Sequence, residues 1–367
     1  MIDDKYIKKA GFNLFLRREL SLLATSIIII SYTDGLKSII GFSFKYICYL
    51  KNGSITDSLR VEKDLVEYNN VVQKIIKNNR LKTNQLLDKG LKLNDEVVKI
   101  FNTKKDYQKY TKTNLYKELK KLFVIYKDLF LFSTVIPYEI GRSLNVLIEK
   151  NKIKNYSRLE DKVNKLRVVS LYTVFEKKAL SKLFQEIARR KNIADYTLLF
   201  NLEYSEMLEF VKSNTILTEK KLIHRKKYVN LLTPRVRFVK FGRINYKKYH
   251  KLFFPENNKK IIVNLSGTTS YPGIVRGNIK VILKKDDVSR FKKGEILVTI
   301  SSNPVLMPAI RKAGAIVSDE GGVTCHASII SRELKIPCIV GTKQATSLLK
   351  NGDLVEVDAN RGIIKML

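Results

Sequence analysis

The apolar residues of this 367-residue chain follow two different spacings that meet near PENNKK (Pro255 to Lys260), and this change limits the possible folds more than any other feature. Before it, apolar residues recur at helical spacing, as in YKELKKLFVIYKDLFLF (Tyr116 to Phe132) and RLEDKVNKLRVVSLYTVFEKKALSKLFQEIARR (Arg158 to Arg190). Helices with one apolar stripe must bury it against one another. After it, short apolar runs alternate with glycine-marked turns: GNIKVIL, GEILVTI, AGAIVS, IPCIVG, GDLVEVD and GIIKML. Helical candidates fall between them, at Pro304 to Lys312, His326 to Leu334 and Gln344 to Leu349. Short strands interleaved with short helices predict a compact α/β domain.

The length suffices for two such domains, each with its own core. We therefore expect a mainly helical domain over residues 1–255 and a compact α/β domain over residues 256–367. One segment of the first part breaks the helical texture. In KYICYLKNGSITDSLRV (Lys45 to Val61) apolar runs flank Asn52-Gly53, a pair that accepts positive φ at both turn positions, so a β-hairpin is expected near 45–61. With a further strand near Val236 to Phe241 (VRFVKF), the N-terminal part is expected to be α+β.

The net charge is +34, and a balance of that size raises nucleic acid as a partner. From Ile261 onward there are 15 Lys+Arg against 9 Asp+Glu, so 54 against 26 lie in the first 260 residues. These lysines are scattered among Ile, Asn and Tyr, the usage of an AT-rich genome. We expect a solvated lysine-rich surface and no dedicated nucleic-acid binding. The three cysteines, Cys48, Cys325 and Cys338, form no CxxC pair, so neither a disulfide framework nor a metal site is expected, and a reducing compartment fits. The run LSLLATSIIII (Leu20 to Ile30) is shorter than the roughly 20 residues of a membrane helix and has no cleavage pattern. We expect a cytoplasmic protein without a membrane segment.

The chemistry is concentrated in GGVTCHASIISRELKIPCIVG (Gly321 to Gly341), which holds His326, one of three histidines. The strand AIVS (Ala315 to Ser318) would end at Asp319-Glu320, and Gly321 and Gly322 would turn the chain into a helix starting near Thr324. His326 would then lie in the first helical turn, where free N–H groups and the helix dipole attract an anion. An imidazole placed there can attack a phosphoryl group and form a covalent intermediate. The backbone at Gly321, Gly322, Cys325 and Ala327 would hold the phosphate, Thr324 would cap the helix or orient the ring, and Arg332 would reach back with its guanidinium. Spacing alone leaves open that His326 is a capping or surface residue. Asp319 and Glu320 are expected to cap the turn and to bind no metal. His224 (KLIHRKKY) and His250 (KKYHKLF) are expected on the surface.

The stretch resembles the signature GGxT[SC]HAAIxxRExGIPxxVG of the mobile, or swivelling, phosphohistidine domain of the phosphoenolpyruvate-utilising enzymes. Gly321, Gly322, Thr324, Cys325, His326, Ala327, Ile329, Arg332, Glu333, Ile336, Pro337, Val340 and Gly341 fall in place. The resemblance extends to SYPGIVRGNIKVI (Ser270 to Ile282), GEILVTISSNPVLMPAIRKAGAIVSDEGG (Gly294 to Gly322) and NGDLVEVDANRGII (Asn351 to Ile364). With Cys325 before the histidine, it is most similar to the phosphoenolpyruvate synthases, beside the pyruvate phosphate dikinases. Three positions depart from the pattern: Ser328 replaces an alanine, Ser302 replaces a threonine before Asn303-Pro304, and Lys335 replaces a glycine.

The resemblance implies a swivelling β/β/α fold in which His326 takes a phosphoryl group from ATP and passes it on. It also implies Thr324 as a target for a regulatory kinase. The first 260 residues show no glycine-rich phosphate loop and too little strand pattern for an ATP-grasp fold, and the chain ends after the mobile domain. ATP and Mg²⁺ are therefore expected on a separate ATP-grasp subunit, with no cofactor in this chain. This chain would be a phosphotransfer component that serves a small-molecule acceptor and is silent alone with ATP and pyruvate. RRELSLLATS, KNGSITD and LEYSEMLEFVKS resemble the helical region before the histidine domain in relatives such as rifampicin phosphotransferase, which implies an acceptor-binding or docking role for residues 1–255 and a hinge near Pro255 to Lys260. Two other readings are a non-catalytic regulatory or scaffold module, and a basic nucleic-acid-binding protein carrying the histidine domain as a passenger.

Overall fold

The computed structural model describes residues 4–53, 55–149, 156–168, 171–213, 218–253, 264–283, 285–302, 304–322, 325–342 and 344–367. It contains helices and strands in two compact units, one of Met1–Asn13 with Arg18–Phe254 and one of Pro255–Leu367 with the short stretch Leu14–Arg17. The proposed hinge near Pro255 to Lys260 lies outside the described residues.

In the first unit, β1 (Phe12–Glu19), β2 (Ile47–Asn52), β3 (Ile55–Val61), β4 (Lys227–Leu232) and β5 (Arg237–Phe241) form a sheet in the order β1-β3-β2-β4-β5. The hairpin expected near 45–61 is β2 and β3, but its turn is one residue later than the Asn-Gly pair suggests. Asn52 is still paired, opposite Ile55, and Gly53 takes the first turn position at φ 66°. Alternate side chains divide the sheet's two faces. Cys48, Leu50, Leu59, Val229 and Leu231 face one core with Tyr249, while Ile47, Tyr49 and Tyr228 join the larger helical core.

That larger core is built by Leu22–Ile30, Glu62–Asn78, Arg80–Asn102, Lys112–Phe130, Ile136–Glu149 and Ser181–Arg190, among other helices. The Leu22 helix does not stop at Ile30, where the apolar run ends. It continues through a π-helical stretch, Ser31–Gly35, to Ile40, and so becomes long and apolar enough to cross a membrane. Its apolar side chains are accounted for by packing, since every residue from Leu22 to Ile29 is buried. Gly35 sits inside the helix because Leu131 fills the space beside it; a Cβ there would lie 2.6 Å from Leu131 Cδ1.

The second unit holds β6 (Asn264–Ser266), β7 (Thr268–Tyr271), β8 (Ile274–Ile282), β9 (Ile296–Thr299), β10 (Ala315–Ser318), β11 (Cys338–Val340), β12 (Leu354–Asp358) and β13 (Ile363–Met366), in the order β6-β13-β12-β8-β9-β10-β11-β7. β8 serves both halves: its start pairs antiparallel with β12 and its end pairs parallel with β9. The parallel strands β9, β10 and β11 are buried on both faces, which explains their unbroken apolar sequences. Ile296, Val298, Ala315, Val317 and Ile339 point into one core, and Leu297, Ile316, Cys338 and Val340 into the other. The helix His326–Leu334 packs on the second core through Ala327.

Candidate phosphohistidine site

β10 delivers the chain to the site, and its parallel partners fix where it ends. After Ser318 the backbone enters Gly321 at φ 118°, a conformation that L side chains rarely adopt. A Cβ on Gly321 would also stand 2.7 Å from Cys325 Sγ, so this glycine is required twice over. Nothing lies within 4 Å of where a Gly322 Cβ would be, and this residue is exposed.

Cys325 is the N-cap residue, with extended φ −74° and ψ 165°, and the helix runs His326–Leu334. Its first intrahelical bond is Ile329 N–H to Cys325 O at 3.0 Å, so the N–H groups of His326, Ala327 and Ser328 precede the helical ladder. The sequence-predicted residues Gly321, Gly322, Cys325, His326 and Ala327 therefore lie on one turn. Thr324 lies outside the described residues. Arg332 is exposed, six residues beyond His326 and so about 9 Å along the helix axis. Its charge reaches Cys338, whose thiol burial pushes up to about 12 while Arg332 pulls it down.

Two serines complete the site. Ser302 Oγ lies 3.0 Å from His326 Nδ1 and holds the half-buried ring, and among the described residues Nε2 has no hydrogen-bond partner. Ser328 Oγ donates to Gly322 O at 2.7 Å, meets Ser270 Oγ at 2.6 Å and Cys325 Sγ at 3.2 Å. It ties the glycine turn, the first helical turn and β7 together. Both serines were visible in the sequence only as departures from the family pattern. Their roles depend on contacts across 24 and 58 positions, which local spacing does not encode.

Asp319 finds its side-chain partners, among the described residues, beyond β11. It is buried, accepts from Thr342 Oγ1 at 2.9 Å and from Thr346 N and Oγ1, and so anchors the short helix Ala345–Leu348. Among the described residues, no group of three or more His, Cys, Asp or Glu side chains is placed to hold a metal. His224 is exposed and His250 packs beside Tyr246 with ring centroids 5.3 Å apart, both in the first unit.

The helix ends at Lys335, a non-glycine residue in the left-handed region at φ 55° and ψ 41°. Left-handed backbone strains any residue with a Cβ, and helix C-termini favour glycine for that reason. Lys335→Gly is expected to stabilise the chain by about 1 kcal/mol, seen as a higher thermal midpoint, with the phosphorylation site unchanged.

Residues 291–362 match the family model of the PEP-utilising enzyme, mobile domain. The chain is 50% identical over 100 residues to a probable phosphoenolpyruvate synthase of Archaeoglobus fulgidus, covering 27% of this chain and 13% of that one. It is 51% identical over 102 residues to the phosphoenolpyruvate synthase of Pyrococcus furiosus, covering 28% and 12%. The chain thus corresponds to about an eighth of these relatives' length. Among solved structures, an Enzyme I protein aligns over 79% of this chain and 81% of its own at 15% identity, with a TM-score of 0.21, too low to inform the overall arrangement. The matched residues 291–362 include the turn, helix and strands that surround His326, and this part of the chain is similar to the mobile domain of the PEP-utilising enzymes.

Proposed function

We propose that the chain is the phosphoryl-carrying component of a synthase-like or dikinase-like phosphotransfer system, with His326 as the carrier on a swivelling β/β/α domain. The observation that carries this reading is the Ser302–His326 Nδ1 contact at the mouth of the helix. With Nδ1 engaged, Nε2 is the nucleophile. A bond from Nε2 to phosphorus forms as the bond from phosphorus to the nucleotide oxygen breaks, and the N–H groups of His326, Ala327 and Ser328 receive the phosphoryl oxygens. In the second half-reaction a hydroxyl of a small-molecule acceptor takes the phosphoryl group and the imidazole returns to its free form.

ATP and Mg²⁺ belong, in this reading, to a separate ATP-grasp subunit, since phosphoryl transfer requires a nucleotide site with its metal. The first unit then presents the acceptor or docks the partner, and the segment near Pro255 to Lys260 is the hinge. The test is incubation of the full chain with γ- and β-labelled ATP and the ATP-grasp protein encoded beside it or copurifying with it. Acid-labile, base-stable label on the chain is expected, and its absence would sink the reading.

Ser302 is a positioning residue in this scheme. Ser302→Ala is expected to slow labelling by about 10- to 100-fold, the scale on which loss of a hydrogen-bond partner affects a metal-bound histidine. Ser302→Thr should restore the rate, because it returns the hydroxyl. Unchanged thermal stability in both variants separates this role from a structural one.

A further inference from the structure

The sheet face that meets the helical core of the first unit is unexpectedly polar. Cross-strand pairing puts Thr56, Lys51 and Tyr228 in one row, Ser58, Tyr49 and Asn230 in the next, and Arg60 and Ile47 in a third. All of these residues are buried. A sheet face packed on helices is normally apolar.

Much of the layer is bonded. Lys51 Nζ and Thr56 Oγ1 donate to Leu20 O, Tyr228 OH meets Thr25 Oγ1 at 3.0 Å, and Arg60 donates to Tyr49 OH at 2.7 Å with its guanidinium between the Tyr32 and Tyr49 rings. From the helices, Glu176 accepts from Ser21 Oγ and Tyr126.

Among the described residues some buried polar atoms of the sheet and of the helices over it have no partner, and Asn230 is the one in the middle row of the sheet. Asn230 is 0% exposed, yet neither its amide oxygen nor its amide nitrogen has a hydrogen-bond partner. Tyr68 OH and Glu139 Oε1 are likewise buried and unpartnered, although the Glu139 charge reaches the Tyr68 hydroxyl. Tyr68 is in turn linked to Arg60 through Tyr32, whose charge it feels. A buried polar group of this kind is costly unless something bonds to it. Two π-helical stretches, Ser31–Gly35 and Glu176–Leu180, supply Tyr32 and Glu176 to this layer. π-Helical turns are rare and concentrate at functional sites.

We propose that this layer of the first unit, centred on Asn230, binds a small organic acid. Asn230 offers a donor beside an acceptor, matching a carboxylate next to a hydroxyl. Lys51 and Arg60 supply two positive charges to the layer, which favours an anion, and burial raises the pKa of the Glu139 and Glu176 carboxyls and so weakens the opposing negative charge. The phenol rings of Tyr32, Tyr49 and Tyr68 accept an apolar body of modest size. The site lies within one unit and does not depend on His326.

The test uses the full chain with lactate, 4-hydroxybenzoate and the uncharged lactamide in calorimetric titrations. Saturable binding of at least one acid at millimolar concentration or below is expected, with lactamide at least about tenfold weaker than lactate if lactate is the acid bound. Asn230→Leu should weaken the acid by about tenfold or more, and His326→Gln should bind it unchanged. As a measurement that needs no variant, the Asn230 side-chain amide resonances should move on titration. No binding of either acid, equal binding by Asn230→Leu, lactamide matching lactate, or amide resonances that stay fixed would each overturn the proposal. None of these outcomes bears on labelling of His326, so the two readings fail separately.

Discussion

His326→Gln is expected to abolish acid-labile phosphorylation of the chain completely, while leaving its unfolding free energy within about 1 kcal/mol of the parent. Glutamine keeps a hydrogen-bonding group near Ser302 but provides no nucleophilic nitrogen, so the carrier step is lost and the fold is not. The half-buried position supports this separation, because the ring is not part of the core that Ala327 enters. His224 and His250, both in the first unit, should be replaceable without effect on labelling. Retention of label in His326→Gln would place the phosphoryl group elsewhere and remove the basis of the proposed function. The chain alone with ATP and pyruvate should show no turnover; sustained Mg²⁺-dependent AMP release that disappears in His326→Ala would reveal a nucleotide site in the first unit.

The second large effect is on stability and its pH dependence. Glu176 reaches the surface in part, but its carboxyl end lies deep among protein atoms, and burial raises its pKa from 4.5 to about 7 against the opposing pull of Ser21, Lys51 and Tyr126. The folded chain therefore holds this proton more tightly than the unfolded chain does. The resulting stability is fully present below about pH 4.5 and is lost as the pH rises through about 7. Glu176→Gln, neutral at every pH, should lack this loss. It is expected to be more stable than the parent at pH 8 by about 3 kcal/mol and to match it near pH 4.5, as measured by denaturant unfolding. A glutamine variant less stable at pH 8 would mean that Lys51 holds the carboxylate ionised.

The second unit was largely legible in the sequence because its signals are local. β9, β10 and β11 are apolar on both faces and bounded by glycines, and the helix from His326 begins where a glycine pair gives way to regular spacing. The first unit was less legible. β4 pairs with β2 across some 180 positions, and a short run such as KYVNLL suits a strand or a helix until that partner is known. The helix from Leu22 also continues through Gly35, which leaves room for Leu131 from another helical segment, a contact across some 100 positions that local spacing does not show.

The chemical identity of the site is a property of the sequence itself. The nucleophile, the glycine pair and the helix start are adjacent, and adjacency on a turn is enough to bring them together. What holds the histidine ready is not adjacent. Ser302 reaches His326 only because the loop after β9 and the turn after β10 leave neighbouring parallel strands at the same edge of the sheet, and Asp319 finds Thr342 and Thr346 because β11 lies beside β10. The unpartnered amide of Asn230 depends on tertiary structure even more completely, since an asparagine in a strand has no special meaning until helices close over it and remove water. Local backbone chemistry is written in nearest neighbours, whereas hydrogen-bond satisfaction is settled only by which distant segments pack together.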